Sequence, residues 1–114
     1  MKIYQYPKCS TCRKAVKFLK DSAIEFEEVN IVETPPTIAE LQQMLQALGD
    51  RKKLFNTSGL QYRELELKNK LPGMSDQEAL TLLASNGMLI KRPFLLGKNI
   101  ALVGFKEAAW KEKL

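Results

Sequence analysis

Histidine is absent from this chain, and cysteine occurs only twice, at Cys9 and Cys12. A structural zinc site draws four ligands from cysteine, histidine and carboxylates. Two thiols without an imidazole leave such a site short of donors, and no metal is expected. Long apolar runs are missing too. No segment approaches a membrane span, and the opening residues lack the apolar core of a signal peptide. A cytoplasmic location is therefore expected, with no membrane partner. There the reducing thiol pools disfavour a static disulfide, and a bridge closing so short a loop constrains little of the unfolded chain. A phosphatase-like C-x5-R loop is also absent, because Ala15 stands where its arginine belongs.

The formal net charge of +5 invites a nucleic-acid reading. The interleaving of basic and aromatic residues that builds a stacking platform is missing, however. The densest basic group, Lys8 to Lys20, reads as the wet face of a helix that also tunes thiols or attracts anions. Direct nucleic-acid binding is not expected. Repeats, low-complexity tracts and interdomain linkers are lacking as well. The 114 residues, 45% hydrophobic and 27% charged, suit a single domain over residues 1–114 with a real core.

What is present begins with Cys9-Ser10-Thr11-Cys12. Lys2-Ile3-Tyr4-Gln5-Tyr6 alternates like a strand, Pro7 ends it, and a helix of roughly three turns is predicted from Ser10 or Thr11. A C-x-x-C at a strand-to-helix turn reads as a redox dithiol. The free N–H groups and dipole of a helix N-terminus favour the thiolate, and Lys8 and Arg13 push the same way. Cys12, Ala15, Val16 and Leu19 share one apolar stripe, opposite Arg13, Lys14, Lys17 and Lys20. Cys12 is thus predicted to face the core as the resolving thiol. Cys9, at the helix mouth, is the candidate nucleophile. The rival reading is a pair of inert core thiols.

Glu25 to Ile31 is the next extended segment, and strand, helix and strand imply a parallel βαβ unit. Pro35-Pro36 leads into a capping box at Thr37-Ile38-Ala39-Glu40. The apolar stripe Ile38, Leu41, Leu45 and Leu48 follows, with Gly49 as the stop. Short helical pieces are predicted around Leu54-Phe55 and Gln61 to Leu65. Ser75-Asp76-Gln77-Glu78 is a second capping box, whose helix is expected to end at Gly87. Phe94 to Leu96 and Ile100 to Val103 flank Gly97-Lys98-Asn99 as a β-hairpin. A last short helix follows Gly104, with Phe105 and Trp110 available to pack on the sheet. The order is βαβ, helices over about 35–87, then ββα, giving an α/β fold with a mixed sheet.

Tyr6 to Ala15, the Pro35-Pro36 helix entry, Ile90-Lys91-Arg92-Pro93 and Leu102-Val103-Gly104-Phe105-Lys106-Glu107 together resemble the arsenate reductase (ArsC)/Spx family. The likeness extends to its Spx/MgsR-like and arsenate reductase-like members that carry a C-x-x-C. It covers nearly the whole chain. It implies a thioredoxin-like (glutaredoxin-like) fold with a helical insertion, a reactive cysteine at Cys9, and an arginine at Arg92 that binds an oxyanion or shapes the thiol pocket. Pro93 then corresponds to the cis-proline set against the active-site turn. Arg92 read without the resemblance is a surface salt-bridge residue. Glutaredoxin-linked arsenate reductases carry three oxyanion-binding arginines. Arg92 matches one, while Asn56 and Gly104 occupy the other two positions and Gln5 that of an activating histidine.

One arginine and a helix terminus are a poor substitute for a three-arginine cage around a divalent oxyanion. The reading is therefore a thiol–disulfide oxidoreductase with no tightly bound cofactor, drawing electrons from glutathione, a glutaredoxin or a thioredoxin. The first alternative is an Spx-like redox-sensing regulator that binds the C-terminal domain of the RNA polymerase α subunit. Glutathione- or glutaredoxin-linked arsenate reduction is the further alternative. A monomer is expected.

Overall fold

A computed structural model describes all 114 residues. Its first unit is β1 (Lys2–Gln5), α1 (Ser10–Asp21) and β2 (Glu27–Asn30). A helical segment follows, with α2 (Ile38–Leu48), α3 (Leu60–Glu64), α4 (Leu67–Lys70) and α5 (Asp76–Ser85). The chain closes with β3 (Phe94–Gly97), β4 (Ile100–Val103) and α6 (Glu107–Lys113). The sheet order is β2-β1-β3-β4. β1 and β2 run parallel, whereas β1–β3 and β3–β4 are antiparallel. This is the mixed sheet and the βαβ, helices, ββα order read from the sequence.

Alternation along the strands sorts side chains to two faces. Ile3 and Leu95 point to one, where they pack with Ala15 and Leu19 of α1 and Trp110 of α6. Tyr4, Phe94 and Leu96 point to the other, joining Leu41, Met44, Leu80 and Leu83 of α2 and α5. Because both faces of β3 are covered, Phe94-Leu95-Leu96 is a continuous apolar run without a polar partner residue. β2 lies at the sheet edge and leaves Glu27 and Glu28 exposed.

Both capping boxes are formed. The Thr37 Oγ1 accepts from the Glu40 amide at 3.1 Å, and the Glu40 carboxylate accepts from the Thr37 amide at 3.0 Å. Ser75 and Glu78 repeat the exchange at 3.1 and 3.0 Å. Glu40 has a second task. Its carboxylate also accepts from Tyr4 Oη at 2.7 Å and Lys2 Nζ at 3.2 Å, fastening the first turn of α2 to β1. Gly49 adopts φ +75° after α2, and its amide donates to the Leu45 carbonyl at 2.7 Å, as a left-handed stop requires.

Three boundaries differ from the sequence reading. β1 stops at Gln5 because the Tyr6 carbonyl is taken by the Cys9 amide at 3.0 Å. β2 spans Glu27–Asn30, shorter than the expected 25–31. α5 ends at Ser85, with Asn86 in extended backbone, so Gly87 is not its stop. Gly87 serves a close approach instead: a Cβ there would collide with the Ile31 carbonyl. Residues 51–73 hold short helical turns at Arg51–Leu54, α3, α4 and Leu71–Gly73, of which the last two had no clear sequence signal.

Candidate active site at the mouth of the first helix

The turn from β1 into α1 places the two thiols differently. Cys9 is the N-cap of α1, with extended backbone at φ −95° and ψ 113°. Its Sγ accepts from the Cys12 amide at 3.3 Å, a contact within reach of a sulfur acceptor. No acidic residue stands in the first turn. Cys9 is half-buried and Cys12 fully buried, and neither is in a disulfide. Cys12 lies on the stripe it shares with buried Ala15 and Leu19, as expected from their spacing. Its thiol is pushed up to about 12, chiefly by burial and then by its hydrogen bond with Cys9; the Tyr6 backbone and the Arg92 charge pull the other way without offsetting them. Cys12 therefore stays protonated near neutral pH.

Cys9 opens onto a cleft of about 830 Å³. One wall carries Lys91 and Arg92, another Lys52, Lys53 and the Phe55–Ser58 stretch, and a third the junction of β4 and α6 from Leu102 to Lys106. Backbone bonds hold these walls together. The Lys91 amide donates to the Leu54 carbonyl at 2.7 Å, and the Asn56 amide to Leu89 at 2.8 Å. Gly104 turns the third wall at φ +68°, its amide on the Pro93 carbonyl at 2.9 Å and its own carbonyl receiving Trp110 Nε1 at 3.1 Å. The left-handed φ explains glycine at that turn.

Arg92 lies over the Tyr6 ring at 5.3 Å and donates from Nη1 to the Met88 carbonyl at 3.3 Å. Its Nε is buried without a protein partner. Arg92 forms no ion pair: the salt bridges are Lys2–Glu40, Lys17–Asp21 and Arg51–Asp76. The Arg92–Pro93 peptide is cis and Pro93 is buried.

Of the residues singled out from sequence, Cys9 and Arg92 share the cleft. Cys12 lies behind Cys9. Lys8 is exposed and outside the cleft lining, and Arg13 donates from its guanidinium to the Pro7 carbonyl at 3.0 Å. Lys52, Lys53 and Lys106 also line the cleft, although nothing in their local sequence marked them. Only the tertiary path of the helical segment brings Lys52 and Lys53 near Cys9. A smaller hollow of about 430 Å³, bordered by Lys2, Glu27 and Glu40, contains neither cysteine.

The family follows from the whole chain. A profile of the ArsC family matches residues 4–113. The chain belongs to the ArsC family. The uncharacterized protein YusI of Bacillus subtilis is 53% identical over 110 residues, covering 96% of this chain and 93% of that one. The crystal structure of a possible arsenate reductase from Streptococcus mutans matches with a TM-score of 0.90 at 43% identity, covering 99% of this chain and 97% of the other. The global transcriptional regulator Spx of Enterococcus faecalis is 31% identical over 113 residues, covering 92% of this chain and 79% of the regulator. The fold is thioredoxin-like, and this ArsC-family chain has relatives named both as arsenate reductases and as regulators. All three positions compared with oxyanion-binding arginines, Asn56, Arg92 and Gly104, line the cleft, and only one carries a guanidinium.

Proposed function

We propose that this protein is a thiol–disulfide oxidoreductase in which Cys9 attacks and Cys12 resolves. The observation that carries the reading is the unequal placement of the two sulfurs. Cys9 opens onto the cleft with an amide N–H on its sulfur, and Cys12 waits behind it, buried and protonated.

In the first step the Cys9 thiolate attacks one sulfur of an oxidised substrate. The substrate S–S bond breaks, and its other half leaves as a thiolate that takes a proton from water. Once Cys9 is in the mixed disulfide, it no longer bears the charge or the hydrogen bond that help keep the Cys12 proton in place. Cys12 then attacks Cys9 Sγ and expels the second half of the substrate, which leaves with the electron pair of the broken S–S bond and takes up the Cys12 proton as a thiol. The Cys9–Cys12 disulfide that remains is returned to two thiols by glutathione, a glutaredoxin or a thioredoxin, which is oxidised in turn. These are cytoplasmic donors, in keeping with the expected location. Lys8 and Arg13 add positive charge near the helix mouth, and Arg92 and Pro93 shape the wall beside it.

Coupled turnover of a small disulfide with each donor tests the proposal. Cys9→Ser should abolish turnover, and full activity in that variant would contradict the mechanism.

A regulatory reading is supported by the relative named Spx. It predicts that the chain binds the C-terminal domain of the RNA polymerase α subunit in a manner that changes with the Cys9–Cys12 disulfide. Binding measured on reduced and oxidised protein separates the two readings. Arsenate turnover that is lost in Arg92→Ala would instead favour reduction of the oxyanion, with Asn56 and Gly104 in the remaining positions.

A further inference from the structure

We infer that the Cys9 cleft selects low-molecular-weight disulfides that carry at least two negative charges. The inference rests on Cys9 as the attacking thiol and adds the substrate class to it. Three separated stretches of chain each put a cation on the cleft: Lys52 and Lys53, Lys91 and Arg92, and Lys106. Asp50 is the only acidic residue in the lining, and none of these five cations is in a salt bridge. The buried Nε of Arg92 is likewise without a partner. The rest of the lining is mixed, with apolar Leu48, Leu102, Val103 and Phe105 beside polar Asn56 and Ser58.

A single compact oxyanion answers one wall of such a cleft and leaves the other cations unused. A volume of about 830 Å³ lies within the range of roughly 300–1,000 Å³ that holds organic ligands. Charges on different walls are matched by a ligand charged at more than one end. Because all four lysines are exposed, Lys91 beside the Gly104 turn among them, their main effect is to attract the ligand during encounter rather than to hold it rigidly.

The reaction is one exchange. The Cys9 thiolate forms a bond to one sulfur of R–S–S–R, the substrate S–S bond breaks, and R–S⁻ departs with the electron pair. Rates are to be measured on the intact reduced protein with three small disulfides: dithiodiglycolate (two carboxylates), bis(2-hydroxyethyl) disulfide (neutral) and cystamine (two ammonium groups). Thiol release in the first turnover is the readout. At low salt the dianion should react about tenfold faster than the dication after correction for each disulfide's rate with free cysteine. That advantage should shrink in ~1 M salt, where the screening length falls to about 3 Å. Lys52→Glu/Lys53→Glu should remove most of the preference, whereas a charge-matched Lys68→Glu/Lys70→Glu control on α4 should keep it.

Equal corrected rates for all three disulfides would overturn the inference while leaving Cys9 as the nucleophile. No reaction of Cys9 with any of them would overturn the proposed function itself.

Discussion

The Cys12 amide donates to the Cys9 sulfur at 3.3 Å, so the residue that follows in the proposed exchange also helps to position the one that leads it. The same bond makes Cys9 the N-cap of α1. Helix capping and thiol placement are one feature here. The cap satisfies an N–H that the first turn otherwise leaves without an acceptor, and that N–H is aimed at the sulfur facing the cleft.

Burial, and next the hydrogen bond with Cys9, push the Cys12 thiol up to about 12 from an ordinary value of 9.0. Folded protein therefore keeps a proton that the unfolded chain gives up between those values. This contribution to stability is complete below pH 9 and is lost as the pH rises toward 12. Thermal melts from pH 7 to 10.5 should show wild-type Tm falling more steeply above pH 9 than that of Cys12→Ala, even if the variant starts lower. Parallel curves would mean that Cys12 titrates normally.

Glu40 gives the opposite dependence. Burial alone raises its carboxyl, but bonds from the Thr37 amide, Tyr4 and Lys2 together outweigh it and hold the group below its ordinary 4.5. Its contribution is present above pH 4.5 and lost as the pH falls through the depressed value. Glu40→Gln should be less stable at neutral pH, and its stability should depend less on pH below 4.5. Tyr4→Phe removes one of these bonds and should cost about 1 kcal/mol in urea unfolding at pH 7.

Gly87→Ala tests the packing of the helical segment against the end of β2. The added Cβ would meet the Ile31 carbonyl, which is backbone and has little freedom to move. A loss of about 1–3 kcal/mol is expected, read as a lower denaturant midpoint with an unchanged m-value. An unchanged midpoint would show that the approach is looser than this.

Trp110 joins the third cleft wall to the core. It is 1% exposed, lies edge-on to Phe105 with ring centroids 4.9 Å apart, and donates to the Gly104 carbonyl at 3.1 Å. Trp110→Phe should cost about 1 kcal/mol for the lost hydrogen bond, and Trp110→Ala about 3–5 kcal/mol. Equal losses in the two variants would contradict a separate role for the hydrogen bond.

Local signals carried much of the fold. Thr37 with Glu40, and Ser75 with Glu78, are short-range chemistry that needs no tertiary help, and both helices begin where those pairs stand. The stripe of Cys12, Ala15 and Leu19 likewise named its own buried face. Residues 66–73 were illegible for a physical reason: Glu66 sits at φ +54° between two short helices, a conformation its residue type does not announce. Gly87 looked like a helix stop because a close backbone approach leaves the same glycine in the sequence. At the site, Cys9 and Arg92 were legible from motif and resemblance. Lys52, Lys53 and Lys106 were not, because their meeting depends on how the helical segment and α6 return to the mouth of α1.

The most direct test of the account is mass spectrometry of reduced protein after reaction with dithiodiglycolate, comparing wild type with Cys12→Ser. Wild type should end with an internal Cys9–Cys12 disulfide and no retained ligand, while Cys12→Ser should stop with half of the reagent bonded to Cys9. Ligand retained on Cys9 in wild type, or attached first to Cys12, would contradict the assignment of attacking and resolving thiols.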